Sequence, residues 1–131
     1  MGEDASVDKV RRYLDALQAG ELESVSDYFS DGVVWRVAGT HPLSGTYRGK
    51  DELIGYFQKV RDMTGGTLKI EPESILTGER HMGILTRVSG ERDGKTMDVL
   101  LAQAFTLDDQ GRWSEYWALA NDQDAVNAFW S

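Results

Sequence analysis

The sequence predicts an α+β fold, in which a curved antiparallel (mixed) β-sheet carries N-terminal helices on its concave face. Helical patterns fill the first half of the chain, and strand patterns fill the second half. The strongest strand pattern is a hairpin over residues 95–121, which turns at residues 108–111. Apolar side chains occupy both faces of its first strand. We therefore expect this strand to be covered on both sides.

Length and composition limit what the protein does. We expect one domain over residues 1–131, because this length suffices for one core but not for two. The absence of cysteine excludes disulfides, thiolate catalysis and cysteine-ligated metal sites. A net charge of −8 without a basic stripe argues against nucleic-acid binding.

Targeting signals are not evident in the sequence. No apolar run approaches the ~20 residues that a membrane span requires. The chain opens with acidic residues, whereas a secretory signal would carry basic ones. We therefore expect no membrane association and a cytoplasmic location.

The first half of the chain reads as helices around one strand. Ser6 stands where it would cap a helix over residues 7–19, and Gly20 follows as its stop. The further predicted elements are a helix over residues 21–29, a strand over residues 32–37, a loop over residues 38–49 with a short strand at 46–48, and a helix over residues 50–62.

The second half reads as strands followed by one helix. Pro72 cannot donate to a strand ladder, so its strand is expected at a sheet edge or with a bulge. Asp122 or Asn121 caps a last helical stretch that runs to Trp130. The predicted strands cover residues 67–76 and 82–89 and the two arms of the hairpin.

Two segments carry a resemblance to a known family. They are RRYLDALQAGELESVSDYFSDGVVW, followed by PLSGTYRGKDELIGYF, and LDDQGRWSEYWALAND. With the order of elements they resemble the nuclear transport factor 2-like superfamily, close to its SnoaL-like polyketide cyclases and ketosteroid isomerases. The resemblance covers nearly the whole chain. It implies a cone-shaped, half-open sheet that holds a small hydrophobic ligand, but many activities share this fold.

The ketosteroid isomerase pattern is only partly present. Tyr13 matches the tyrosine of the oxyanion hole, whereas its protonated aspartic acid partner falls on Gln103. The general-base aspartate falls on Val37. The resemblance therefore implies two hydrogen-bond donors for an oxygen atom, Tyr13 and Gln103, without a base to abstract a proton. Steroid isomerisation is not expected.

Two other catalytic patterns of the superfamily are also incomplete. In the cyclases an acid follows the tryptophan of a Glu-x-Trp motif, where this chain has Ala118. Their histidine on the preceding strand has no counterpart at residues 97–107. The Asp-Arg-Asp set of limonene epoxide hydrolase cannot be assembled from the inward-facing positions.

Three residues are candidates for a chemical role: Tyr13, Gln103 and His41. Histidine titrates near neutral pH, which makes His41 the candidate proton carrier. Each residue also has a structural interpretation. Tyr13 would be a core aromatic, Gln103 an amide bonded to Tyr13 or Tyr116, and His41 an exposed loop residue. The expected ligand-binding wall is mostly apolar and comprises Trp35, Val37, Phe57, Val88, Val99, Leu101, Phe105, Tyr116 and Ala118.

These observations leave three functions open. The protein is an isomerase or cyclase acting on a carbonyl-bearing molecule, a noncatalytic protein that sequesters a small hydrophobic ligand, or a protein-interaction subunit. We expect no metal and no cofactor. Arg87 is expected to pair with Glu115 across the sheet. A homodimer is expected through the convex sheet face, at Leu100, Ala102, Ala104, Trp117 and Leu119.

Overall fold

The computed structural model describes residues 2–131, with side chains described from residue 6 onward. Met1, part of the acidic opening considered above, lies outside the described residues. The elements are α1 (Gly2–Ala19), α2 (Leu22–Ser26), β1 (Phe29–Val37), β2 (Gly45–Arg48), α3 (Gly49–Thr64), β3 (Lys69–Thr77), β4 (His81–Arg92), β5 (Lys95–Leu107), β6 (Trp113–Ala120) and α4 (Gln123–Trp130). None of these helices combines the length and hydropathy that a membrane span requires.

The strands form one mixed sheet in the order β2-β1-β6-β5-β4-β3. β1 and β6 run parallel, and the other neighbouring strands run antiparallel. Gln103 in the middle of β5 pairs with Ile84 of β4 and Ala118 of β6. Because side chains alternate along a strand, this register fixes which residues face the helices. The predicted α+β class is confirmed.

Helix boundaries follow local signals in two of three cases. Gly65 ends α3 in the left-handed conformation, at φ 60°. The Asp122 carboxylate accepts a hydrogen bond from the Ala125 N–H at 3.1 Å, which confirms the predicted cap of α4. The predicted Ser6 cap is wrong because α1 begins at Gly2 and Ser6 lies inside it. Serine is tolerated within a helix at modest cost.

The second helix is shorter than its sequence pattern indicates. It ends at Ser26, and Phe29 opens β1 instead of closing the helix. Phe29 pairs with Trp113 of β6, whose backbone N–H also donates to the Tyr28 carbonyl at 2.9 Å. Pairing with a distant strand has therefore overridden local helix propensity.

The edge of the sheet shows the predicted effect of proline. β3 is an edge strand, and its register with β4 shifts between Pro72 and Ser74. The ion pairs on the opposite face differ from the prediction. Arg87 contacts Asp98 at 2.9 Å and Glu73 at 3.3 Å, whereas Glu115 contacts Arg36. Arg87 lies opposite Leu100 and Glu115 opposite Thr106, too far apart along the sheet to pair.

The core consists of two clusters beneath the helices. The first core cluster contains most of the large aromatic residues, with Tyr13 and Trp113 at a ring distance of 4.7 Å. The second core cluster packs α4 and the loop before β2 against the other end of β4 and β5. Its buried members are Leu43, Val60, Val88, Met97, Val99, Phe129 and Trp130.

Candidate functional site

A cavity lies between the concave face of the sheet and α1, α3 and α4. It contains about 160 Å³ that the centre of a water molecule can reach. One water needs only about 10–15 Å³ on this measure, so the cavity has room for an organic molecule. The residues proposed from the sequence that lie on its wall are Tyr13, His41, Gln103, Trp35, Val37, Phe57, Val88, Val99, Leu101, Tyr116 and Ala118.

Phe105 differs from the other sequence-derived wall residues. It is 1% exposed and lies behind the wall, among the aromatic rings of the first core cluster. Its ring centroid is 5.1 Å from that of Tyr116 and 6.1 Å from that of Trp35. The rings of Trp35 and Tyr116 stack on each other, with their centroids 3.5 Å apart, and cover Phe105. The expectation that Phe105 contacts a ligand is therefore corrected, because larger neighbours occupy that position.

Several wall residues were missed by the sequence reasoning. Tyr56 lies on α3, three residues after the core residue Leu53, so helical spacing contained a signal for it. Gln123, Val126 and Trp130 belong to α4, which closes one side of the cavity. Amphipathic spacing identified this helix, but only the tertiary structure shows which surface it covers.

Three tyrosines provide hydroxyl groups at the cavity. Burial is the largest cause that raises the pKa of Tyr13, Tyr56 and Tyr116, and at each of them a neighbouring tyrosine, which is Tyr47 for Tyr56, adds to the rise. All three phenols are therefore neutral near pH 7 and act as hydrogen-bond donors.

Gln103 is held in one orientation by Thr86. The Thr86 hydroxyl donates to the Leu101 carbonyl at 3.0 Å, and the Gln103 Nε2 donates to the same hydroxyl at 3.0 Å. Because the hydroxyl has already given its only proton to Leu101, it accepts from the amide nitrogen and cannot donate to the amide oxygen. The partner is thus Thr86, whereas the structural interpretation from sequence named Tyr13 or Tyr116. The second Nε2 proton and the amide oxygen are left for other contacts.

His41 is buried, with 9% of its surface exposed, and does not lie open in the loop. Its Nδ1 accepts a hydrogen bond from the Leu43 N–H at 3.2 Å, so the ring proton is on Nε2. Nε2 is buried without a hydrogen-bond partner among the described residues. Burial is the main cause that lowers the pKa of His41. The imidazole is therefore neutral near pH 7 and presents an N–H.

The charges around the cavity are few and positive. Over the described residues, the wall includes Arg36 and Arg61 but no aspartate or glutamate. Arg36 pairs with Glu115, and Arg61 Nη1 donates to the Gln18 carbonyl at 3.3 Å. Among the side chains described, those of residues 6–131, no cluster of His, Asp and Glu is suited to holding a metal ion. The charged groups of the described wall are thus cations, whose N–H groups suit a ligand oxygen.

Comparisons with known proteins identify relatives over the whole chain. Residues 10–116 match the model of the SnoaL-like domain. An uncharacterized protein of Mycobacterium bovis, Mb0035, is 30% identical over 134 residues, which cover 100% of both chains. The residues that match the domain model include those that line the cavity on α1, β1, α3, β4 and β5.

Solved structures share the fold at lower sequence identity. Bal32a, from a soil-derived mobile gene cassette, is 25% identical, with a TM-score of 0.90 over 95% of each chain. TerC, crystallised with polyporic acid, is 15% identical, with a TM-score of 0.80 over 94% of this chain and 95% of its own. At that identity TerC shows the fold alone. The domain match and the full-length relative establish that this chain belongs to the SnoaL-like family.

Proposed function

We propose that the protein binds, in this cavity, a small hydrophobic molecule that bears a carbonyl or hydroxyl oxygen. The observation that carries the proposal is the composition of the wall. It is mostly apolar, and its polar groups are neutral phenols, the Gln103 amide and the His41 imidazole. Ligand sites commonly combine a largely apolar surface with a few convergent polar groups.

The energetics favour a largely apolar ligand with an oxygen atom. Each square ångström of apolar ligand surface that leaves water contributes roughly 25 cal/mol. Hydrogen bonds from the buried donors Tyr13 and Gln103 replace those that a ligand oxygen loses to water. A ligand oxygen left without such a bond would cost roughly 1–3 kcal/mol. An organic cation would meet no carboxylate on the described wall. TerC, which has the same fold and was crystallised with polyporic acid, supports a small-molecule ligand.

A second candidate function is catalysis by a cofactor-independent isomerase or cyclase. The observation in its favour is that Tyr13 and Gln103 both line the cavity, where they can stabilise a developing oxyanion. His41 or a water molecule would carry the proton. The tautomer of His41 favours water as the base, since the nitrogen that is not bonded to Leu43 already holds a proton.

A ligand screen tests the proposed function. Native mass spectrometry of freshly purified protein detects copurified ligands, and a thermal-shift screen with steroids, terpenoids and polyketide fragments detects added ones. A ligand at one hundred times its Kd stabilises the folded state by about 2.7 kcal/mol. We expect stabilisation by ketones and phenols. If no compound binds, the proposal fails and the protein-interaction subunit becomes the leading function.

Gln103→Leu separates the binding protein from the enzyme. In a binding protein the variant loses affinity only, whereas in an enzyme it loses turnover far more than affinity. Gln58→Leu is the matched control, because Gln58 is exposed on α3 and away from the cavity. Unchanged affinity and turnover in Gln103→Leu would show that Gln103 contributes neither to ligand binding nor to catalysis.

We further propose that a second copy of the chain covers the convex face of the sheet. The register places Leu76 and Trp117 in one row across the strands and Leu85 and Leu119 in the next. These four are the large hydrophobic side chains that are exposed in the described part of the chain. An apolar patch of this kind is typical of a protein interface.

A further inference from the structure

The cavity has polar groups at two separate ends. Tyr116 marks the first end, within the first core cluster, and Trp35 of β1 is its partner in the parallel ladder. Ala120 lies on the wall four residues further along β6, which corresponds to about 13 Å of strand. Beyond Ala120 the chain enters α4, whose Gln123 also lines the cavity. His41 belongs to this second end.

The position of His41 follows from its neighbours. Val37, the last residue of β1, is followed by a loop that packs against the start of α4. The Thr40 N–H donates to Asn127 Oδ1 at 3.0 Å. A Cβ at Gly39 would lie 2.5 Å from Gln123 Nε2 and 3.1 Å from His41 Cδ2, so only glycine permits this approach. The imidazole therefore lies close to the side chain of Gln123.

The imidazole presents a donor that the described part of the protein does not satisfy. The Leu43 N–H occupies Nδ1, in the arrangement that an Asx turn makes with the backbone two residues on. The Nε2–H is buried and has no partner among the described residues, although the residue lines the cavity. A buried donor without a partner is unfavourable, and a ligand oxygen would remove this cost.

We propose that His41 is a second ligand anchor, whose Nε2–H donates a hydrogen bond to an oxygen at the far end of the ligand. This inference rests on the proposed function, in which Tyr13 and Gln103 hold one oxygen of the ligand. Gln103 pairs with Ala118, two residues from Tyr116 and two from Ala120. The ligand is then an elongated apolar molecule with oxygen acceptors at both ends. Its two oxygens lie roughly 7 to 13 Å apart, since Ala120 is two residues of strand beyond the level of Gln103 and four beyond Tyr116.

Two matched probes test this inference. The acetyl probe is a hydroxybiphenyl with an acetyl group at the para position of the second ring. The isopropenyl probe carries an isopropenyl group there, which has the same shape but no acceptor. We expect wild-type protein to bind the acetyl probe about threefold to tenfold more tightly, the range of a single neutral hydrogen bond. Titration calorimetry measures both values of Kd.

Two His41 variants connect the preference to the Nε2–H. In His41→Asn, the amide oxygen keeps the bond to the Leu43 N–H as an Asx turn, but no donor reaches the Nε2 position. In His41→Gln, the longer side chain places an amide N–H near that position. We expect the preference for the acetyl probe to disappear in His41→Asn and to return at least partly in His41→Gln. Thermal unfolding checks that both variants fold.

The outcomes distinguish this inference from the proposed function. Equal binding of the two probes by wild-type protein overturns the second anchor while leaving the cavity as a binding site. The same holds if His41→Asn keeps the full preference. If neither probe binds to wild-type protein, the proposed function fails for this ligand class and the second anchor fails with it.

Discussion

Gln103 shows how one side chain acquires a defined role through its neighbour. Thr86 is fully buried on β4, and its hydroxyl joins the Gln103 amide to the Leu101 carbonyl. Without Thr86 the amide would be free to rotate and would present either nitrogen or oxygen to a ligand. The orientation of the Gln103 amide in the wall therefore depends on a residue that a ligand need not touch.

Thr86→Val tests this dependence. Valine has the shape of threonine but lacks the hydroxyl, so the Gln103 Nε2 loses its partner. We expect the free energy of unfolding to fall by about 1 kcal/mol and the affinity for the acetyl probe to fall severalfold. Thr106→Val on the same sheet, facing away from the cavity, is the control. Wild-type affinity in Thr86→Val would show that the amide needs no orientation.

At the residue scale, the sequence predicted part of the candidate site. Tyr13 and Gln103 were found because the family pattern marks their positions, and both line the cavity. The neutral N–H of His41 was not predictable, because it depends on burial and on the backbone N–H of Leu43. Phe105 was predicted on the cavity wall but lies behind it, because strand alternation gives the direction of a side chain and not the residues that cover it.

Among the elements, α4 closes the cavity although it is short. Val126 and Trp130 contribute to the wall, and Phe129 and Trp130 are buried in the second core cluster. A helix of eight residues is marginal by itself, so its position depends on packing and on its cap. The stability of α4 should therefore affect ligand binding.

We expect Asp122→Ala to destabilise the fold by about 1 kcal/mol, the usual cost of an N-cap. Amide hydrogen exchange should rise at residues 123–130, and ligand affinity should fall with it. Asp124→Ala is the control, because Asp124 is exposed in the first turn and is not the cap. If the two variants exchange equally, the cap does not hold this helix.

The turn between β5 and β6 should make stability depend on acid pH. Ser30 Oγ donates to Asp108 Oδ2, and the Arg112 and Gln110 N–H groups donate to Oδ1 at 2.9 and 2.8 Å. These bonds, with Ser30 first, lower the pKa of Asp108 from 3.8 to about 2. The stabilisation is therefore present above the unfolded-state pKa and is lost as pH falls through about 2.

Asp108→Asn tests this effect by urea unfolding at a series of pH values. The variant should be less stable than wild type at neutral pH, and the difference should close as the pH falls through 4 to about 2. Asp109→Asn, a neighbouring exposed carboxylate that pairs with Arg80, is the control. A difference that stays constant down to pH 2 would contradict the assignment.

The elements themselves were mostly predictable, but only some of their ends were. The pattern of the hairpin gave β5 its observed start at Lys95, because both arms alternate over many residues. The end of α2 was set by the pairing of Phe29 with Trp113, a contact between residues far apart in sequence. Local propensity contains no information about such a partner.

For the whole molecule, the proposed homodimer predicts a change of mass. Leu119 is 75% exposed and lies on the convex face beside Ala102. Burying a carboxylate there is costly, so Leu119→Glu should convert a dimer into a monomer without loss of ligand binding. Lys59→Glu adds a carboxylate to exposed α3 as the control. Light scattering after size-exclusion chromatography measures the mass, and a monomeric wild-type protein would contradict the proposal.

At the same scale, the fold class and the family were predictable from one sequence. Helical and strand periodicities cover nearly the whole chain, and both agree with the observed order of elements. The volume of the cavity was not predictable, since it depends on how closely Trp35, Tyr116 and Trp130 pack. Leu76 and Leu85 were missed on the convex face because the register of β3 and β4 was unknown.

The central claim, that the cavity binds the ligand, is tested most directly by the tryptophan side chains. The chain has four tryptophans, and their indole N–H groups give separate signals in a nitrogen–proton NMR correlation spectrum. Trp35 and Trp130 line the cavity, whereas Trp113 is buried behind it and Trp117 lies on the convex face. On titration with the acetyl probe, we expect large shifts for Trp35 and Trp130 and small ones for Trp113 and Trp117. A shift confined to Trp117, or no shift at saturating probe, would contradict the account.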